Sequence, residues 1–227
     1  MSSEVNEVSE AINHPLRLGV LLSGSGSNLQ AIIDAIEQRQ LPGVEIALVV
    51  SNKPAAQGVQ RALQHSLPVI YLPWERPSSR ALVEITKSEA TLTALLHLFR
   101  VDLIVLAGWM RIFSAAFLAQ FPLQIINLHP ALLPDDGTSE TFTASDGTVL
   151  PVFRGLHVVR KALDAGVHIT GSSVHYVTPA VDAGPVICRA EIPIEPGESE
   201  EHLHERIKEK EHQLIIEAIK LYNLNRH

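Results

Sequence analysis

The residues of this chain whose types and spacing best suit chemistry are Asn127 and His129, in the run Ile125-Ile126-Asn127-Leu128-His129-Pro130. Side chains alternate faces along a strand, so the carboxamide and the imidazole share one side while Leu128 takes the other. The proline then stops the run. A hydrogen-bond donor and a proton donor delivered together at the carboxyl end of an apolar strand suit a reaction in which charge builds on one oxygen while a proton moves. The same residues also fit a satisfied structural pair, and their types alone leave both readings open.

A second constellation lies near the start. The apolar run 17–22 leads into Ser23-Gly24-Ser25-Gly26-Ser27-Asn28 and then into 29–36, where apolar residues recur at helical spacing. This reads as strand, glycine-rich turn, helix. Glycines admit a ligand close to the backbone, and the helix start offers free N–H groups and a positive dipole end, so the turn can hold a phosphate. It can equally need glycine for sterics alone. Two details speak against a dinucleotide: Leu29 stands where a third glycine is expected, and the next strand, 44–50, ends in Ser51-Asn52 rather than an acidic residue.

A third candidate is Gly108-Trp109-Met110-Arg111-Ile112-Phe113, an apolar loop after the predicted strand 101–107. Ligands gather at the carboxyl edge of open α/β sheets, so Met110, Ile112 and Phe113 can line a slot for a flat heterocycle, or can simply pack between helices. Asp182 falls in a later loop, 178–184, where a carboxylate is ordinarily solvated. The lone Cys188 lies in the apolar run Val186-Ile187-Cys188 and reads as a small buried hydrophobe; with one cysteine no internal disulfide can form, which fits a reducing, cytoplasmic location.

The elements that must position these residues follow from periodicity. Strands are expected at 17–22, 44–50, 68–72, 101–107 and 123–127, and helices at 29–36, 56–65, 78–100 and 114–121. Alternation of this kind predicts an α/β fold with a mostly parallel sheet and right-handed crossovers. The segment 132–153 interrupts it: Asp146-Gly147 between β-formers predicts a hairpin, whose acidic and threonine oxygens lack the spacing of a calcium loop. A helix at 155–165, strands at 168–177 and 185–194, and a charged amphipathic helix at 199–221 complete the chain.

Length and charge bound the function. The 227 residues, 46% hydrophobic and 19% charged, suit one α/β domain over 15–227 preceded by a polar tail at 1–14 without signal-peptide features. A net charge of −7 argues against general nucleic-acid binding, so any phosphate is held locally. No apolar run approaches the length needed to span a bilayer.

Taken in order, these motifs resemble the folate-dependent glycinamide ribonucleotide formyltransferases of purine synthesis. The resemblance rests on 21–30, Ser51-Asn52-Lys53, 106–112, Asn127-Leu128-His129-Pro130, and Gly171-Ser172-Ser173-Val174-His175 through Asp182-Ala183-Gly184-Pro185, and it extends over about 17–225. It implies a Rossmann-like formyltransferase fold and a direct formyl transfer from the cosubstrate 10-formyltetrahydrofolate to the ribonucleotide amine, with no metal and no covalent nucleophile. Asn127, His129 and Asp182 match the family's catalytic trio, and Gly26, Ser27 and Asn28 its phosphate cradle. Glu211 matches a residue near the substrate amine, while Arg80, Met110, Arg111, Ile112, Phe113, Asn127, Thr178, Pro179, Ala180, Val181 and Asp182 match folate contacts. An Asp182 near His129 is expected to raise the imidazole's pKa. The implied partners are the nucleotide and the reduced folate, with no nucleic acid and no membrane, in a monomer or homodimer.

The resemblance leaves alternatives. A formyltetrahydrofolate hydrolase shares the core but ordinarily carries an N-terminal regulatory domain for which 1–14 leaves no room, and a methionyl-tRNA formyltransferase adds a basic RNA-binding domain. A non-catalytic nucleotide-binding module is the rival from another class. The chain also departs from the family pattern: Ala131 replaces a serine after the His-Pro pair, and an insertion of about 135–152 separates Leu132-Leu133-Pro134 from Phe153-Arg154-Gly155-Leu156-His157. That insertion reads either as a lid or as an inert hairpin.

Overall fold

The computed structural model describes residues 14–74 and 85–226. Its centre is a seven-stranded sheet in the order β3-β2-β1-β4-β5-β8-β9, built from β1 (Leu16–Leu22), β2 (Val44–Ser51), β3 (Val69–Tyr71), β4 (Leu103–Leu106), β5 (Ile125–His129), β8 (Ile169–Tyr176) and β9 (Val186–Pro193). The pairs among β1 to β5 are parallel, and β8 pairs antiparallel with both β5 and β9. A separate hairpin pairs β6 (Thr141–Thr143) with β7 (Val149–Pro151) around Asp146-Gly147, as the sequence predicts.

Alternation along the strands feeds two cores, one on each face. Leu18, Val20 and Leu22 of β1 pack with Leu29 and Ile32 of α1 (Ser27–Glu37) and with Leu214, Ile215 and Ile219 of α6 (Glu200–Asn225). On the other face, Leu21, Val50 and Leu106 meet Leu92 and Leu96 of α3 (Lys87–Leu98) and Phe117 of α4 (Ala115–Leu118). Two further helices, α2 (Gln57–Gln64) and α5 (Val158–Asp164), cover the connections. Among the described residues, no helix is long and apolar enough to cross a membrane.

Three boundaries differ from the sequence reading. The strand expected at 123–127 runs over Ile125–His129, so both Asn127 and His129 lie within it, and Leu123 takes a positive φ of 55° just before it. The helix expected from 155 starts at Val158, because Gly155 and His157 adopt positive φ. The helix expected over 78–100 does not run through Ile85 and Thr86; α3 begins at Lys87, and the earlier start, with Arg80, lies outside the described residues.

The physical reason is Glu89. Thr86 Oγ1 accepts from Glu89 N while the Glu89 carboxylate accepts from Thr86 N, a reciprocal capping box. The same carboxylate, only 1% exposed, accepts from Ser114 N at 2.6 Å and Ser114 Oγ at 3.0 Å. One buried side chain therefore starts α3 and anchors the loop that enters α4. Glu89→Gln keeps the shape but cannot accept from all these donors, and is expected to lower unfolding stability by about 1–3 kcal/mol in a denaturant titration.

Candidate active site

Strand order reverses between β1 and β4, which are neighbours, so the loops after these strands open a crevice at the carboxyl edge of the sheet. The glycine-rich turn follows β1, the apolar loop follows β4, and Asn127 and His129 close β5 beside them. The loops are tied together: Ser23 N donates to Gly108 O at 3.1 Å, and Met110 N donates to Ser23 Oγ at 3.0 Å.

At the turn, Gly26 caps α1 with φ 70°, and no side chain caps the helix start. Free N–H groups of the first turn can therefore face an anion. The buried Asn28 donates from Nδ2 to Glu211 Oε2 at 3.3 Å, and its Oδ1 has no protein partner. That contact brings α6 to the cradle and places Glu211 next to it. Burial drives the Glu211 pKa upward, against the hydrogen bond from Asn28. A carboxyl whose folded pKa is raised supports the fold while protonated, and that support is lost as pH rises from the ordinary glutamate range through the raised value. Glu211→Gln is expected to flatten this decline, measured as unfolding free energies at about pH 5 and pH 8.

The trio meets at the end of β5. The His129 Nδ1 lies 3.4 Å from Asp182 Oδ2, and His129 Nε2 donates to Phe153 O at 2.8 Å. Asp182 comes from the loop between β8 and β9, where its backbone takes φ 49°, and its Oδ2 also accepts from Gly155 N at 2.8 Å. A fourth residue completes the cluster. The β5–β8 register sets His175 opposite Asn127, with Asn127 Nδ2 3.2 Å from His175 Nε2 and Asp182 Oδ1 3.6 Å from the same nitrogen. His175 Nδ1–H donates to Tyr176 O at 2.9 Å, which turns Nε2 toward both Asn127 and Asp182 and ties the carboxamide to the carboxylate.

The expected rise in the His129 pKa is not found. Burial, the largest influence, lowers it, and neither the Asp182 charge nor the Phe153 carbonyl fully offsets this. Both ring nitrogens nonetheless face acceptors, the arrangement an imidazolium needs. Burial likewise works to raise the Asp182 pKa, but the imidazoles of His175 and His129 and the Gly155 N–H outweigh it and hold the carboxyl below its ordinary value.

The apolar slot is divided. Met110 and Ile112 are 60% and 50% exposed, available to a ligand, whereas Phe113 is 5% exposed, its ring stacked on Phe117 at 4.5 Å. The Phe113 ring is thus core rather than slot lining. Arg111 keeps a buried Nε without a protein partner. In the later loop, Thr178 Oγ1 donates to Ala180 O at 3.1 Å, Pro179 and Ala180 line the same stretch, and Val181 is half exposed.

Comparison with known proteins follows the same residues. The family model described as formyl transferase matches 16–141 and 146–219, covering both ends of this site. The chain belongs to the formyl transferase family. It is 37% identical over 200 residues to phosphoribosylglycinamide formyltransferase of Escherichia coli, covering 87% of this chain and 82% of that protein. It is 39% identical over 204 residues to the trifunctional purine biosynthetic protein adenosine-3 of Drosophila melanogaster, covering 89% of this chain but only 14% of that much longer protein. The crystal structure of glycinamide ribonucleotide transformylase 1 from Symbiobacterium toebii superimposes with a TM-score of 0.78 at 36% identity, over 95% of this chain and 91% of that one.

In this member of the formyl transferase family, the cluster includes residues that the sequence alone does not single out. His175 stands in a quoted motif, but only strand register shows that it faces Asn127. Glu89 follows Thr86 at capping-box spacing, a local signal that marks the true start of α3. The Phe153 carbonyl carries no sequence signal, since any residue has one. Ala131 is buried, and the neighbouring Ser173 Oγ donates to its carbonyl at 2.9 Å and accepts from Leu133 N at 3.0 Å. A hydroxyl from β8 thereby fixes the turn after the His-Pro pair.

Proposed function

We propose that the chain transfers the formyl group of 10-formyltetrahydrofolate to the amine of glycinamide ribonucleotide in purine biosynthesis. The observation that carries this reading is the convergence of Asn127, His129 and Asp182 at the end of β5, beside a helix-start anion site, in a member of the formyl transferase family. In this reading Gly26, Ser27 and Asn28 hold the nucleotide phosphate, Glu211 faces the amine, and Met110 with Ile112 borders the folate, whose remaining contacts come from Arg80, Arg111 and the loop carrying Thr178 to Asp182. Remote phosphate binding positions the amine against the formyl carbon.

The reaction balances without a covalent enzyme intermediate. The amine nitrogen bonds to the formyl carbon, and the carbonyl electron pair moves to oxygen. Asn127 Nδ2–H, partly exposed and held by His175, donates to that oxyanion. His129 exchanges the Phe153 carbonyl for substrate at Nε2 and carries the proton from the attacking nitrogen to the departing folate nitrogen. Asp182 beside Nδ1 stabilises the imidazolium formed on the way. The oxyanion pair then re-forms the carbonyl as the carbon–nitrogen bond to the folate breaks, the pair of that bond remaining on the protonated nitrogen. The lone cysteine fits a reducing, cytoplasmic setting for this chemistry.

The test is the spectroscopic loss of 10-formyltetrahydrofolate with and without glycinamide ribonucleotide. Loss that requires the nucleotide is the expected result. Equal loss without it assigns a hydrolase, and no loss in either case assigns a binding module.

A further inference from the structure

The insertion at 135–152 stands on the Asp182 loop. Arg154, which directly follows Phe153, donates from Nη2 to Gly137 O at 2.9 Å and Ser139 O at 2.8 Å, and from Nη1 to Glu140 Oε1 at 3.3 Å. Its Nε donates to the Asp182 carbonyl at 3.1 Å. A single guanidinium therefore grips the first turn of the insertion and the backbone of Asp182 together, and only a planar fork of several donors can do both. Contact is also steric: a Cβ on Gly137 would fall 2.4 Å from Ala183 O and 2.5 Å from Gly184 O, so the turn packs backbone to backbone on the residues that follow Asp182.

The far side of the insertion is pinned as well. Arg189 of β9 pairs with Asp135, donates to Leu133 O at 2.5 Å and lies 5.1 Å over the Phe142 ring. Glu191 of β9 accepts from Ser145 N at 2.8 Å and Ser145 Oγ at 2.5 Å. Contacts at its base, strand and tip fasten the segment to β9, which favours a fixed element over a lid. Asp182, for its part, sits in the left-handed region, which aspartate tolerates better than most non-glycine residues.

We propose that the 135–152 insertion is a brace for Asp182, with Arg154 as the positioning residue that transmits it. This rests on the reading of Asp182 as a member of the catalytic trio. The insertion is then neither lid nor inert hairpin: through Arg154 and Gly137 it fixes the backbone from which the carboxylate reaches His129, His175 and Gly155 N.

The experiment is a double-mutant cycle on the full chain, with Arg154→Met, Asp182→Asn and the pair, read as kcat, KM for the nucleotide, and denaturation midpoint. Arg154→Met is expected to lower kcat about 10–100-fold with little change in nucleotide KM, the cost of a small misplacement of a catalytic group. In the Asp182→Asn background the same substitution is expected to cost little more, because its effect passes through the missing carboxylate. Losses that multiply across the cycle, or a kcat unchanged by Arg154→Met, would overturn the brace. Near-normal turnover in Asp182→Asn alone would instead overturn the catalytic reading on which it rests. Gly137→Ala keeps the guanidinium but displaces the packed turn, and with it the Gly137 carbonyl that Arg154 holds; it is expected to lower kcat with the same dependence on Asp182, and multiplicative losses here count against the brace even if Arg154→Met fails to fold.

Discussion

Replacing His129 by alanine is expected to lower kcat about 10²–10⁴-fold, the range lost when a positioned acid–base group is removed. Nucleotide affinity, measured by equilibrium titration, is expected to change little, because the phosphate site proposed at the start of α1 is built from other residues. Asp182→Asn keeps the shape of the side chain and removes its charge, so it isolates the support proposed for the carboxylate toward the His129 ring 3.4 Å away. Its effect has a definite pH sign. The Asp182 pKa is lowered in the fold, so the ionised form and its contribution are present above the ordinary aspartate range and lost as pH falls through the depressed value. The acid-side loss of unfolding free energy that reports this titration is expected to shrink in the asparagine variant, measured by denaturant titration across that range. Near-normal turnover in either variant would remove the trio from the mechanism.

Gly26→Val is expected to destabilise the fold by roughly 2–5 kcal/mol, combining left-handed backbone strain with overpacking against a neighbouring backbone. Gly26 has φ 70°, and a Cβ there would lie 2.5 Å from the Gly58 Cα, an approach between α1 and α2 that no side chain can relieve. From sequence alone the same substitution looks like a probe of nucleotide affinity, since glycine in such a turn suggests ligand approach. In the structure the steric demand comes from the protein itself, whatever the cradle binds. Gly24→Ala supplies the contrast: a Cβ on Gly24 would meet nothing within 4 Å, so the denaturation midpoint of that variant is expected to stay close to that of the parent. Equal midpoints for Gly26→Val and the parent would show that α2 moves aside without cost.

The legible part of the site was its local part. Asn127 and His129 share a face because strand side chains alternate, and the turn at Gly26 precedes a helix because apolar spacing changes period there. Both are consequences of neighbours along the chain. The hairpin at Asp146-Gly147 was legible for the same reason, since its turn requires a positive φ that glycine supplies. The apolar loop was ambiguous, and the structure divides it: Phe113 and Trp109 went to the core, Met110 and Ile112 to the surface. Hydrophobicity does not specify which side of a loop faces inward.

Periodicity, turn chemistry and the pleat, all written in the order of residues, thus set the alternation of elements, the parallel first half of the sheet, and the polar pair at the end of β5. Only the folded chain shows that β8 lies antiparallel to β5, which puts His175 across from Asn127, and that the β8–β9 loop folds back so that Asp182 reaches His129. The protonation balance belongs to the fold as well, because the burial that lowers the His129 pKa is a sum over residues remote in the chain. The insertion acquired its place in the same way: Arg154 reaches both Gly137 and Asp182 only after the sheet has closed, and such long-range contacts leave no periodic trace in the sequence.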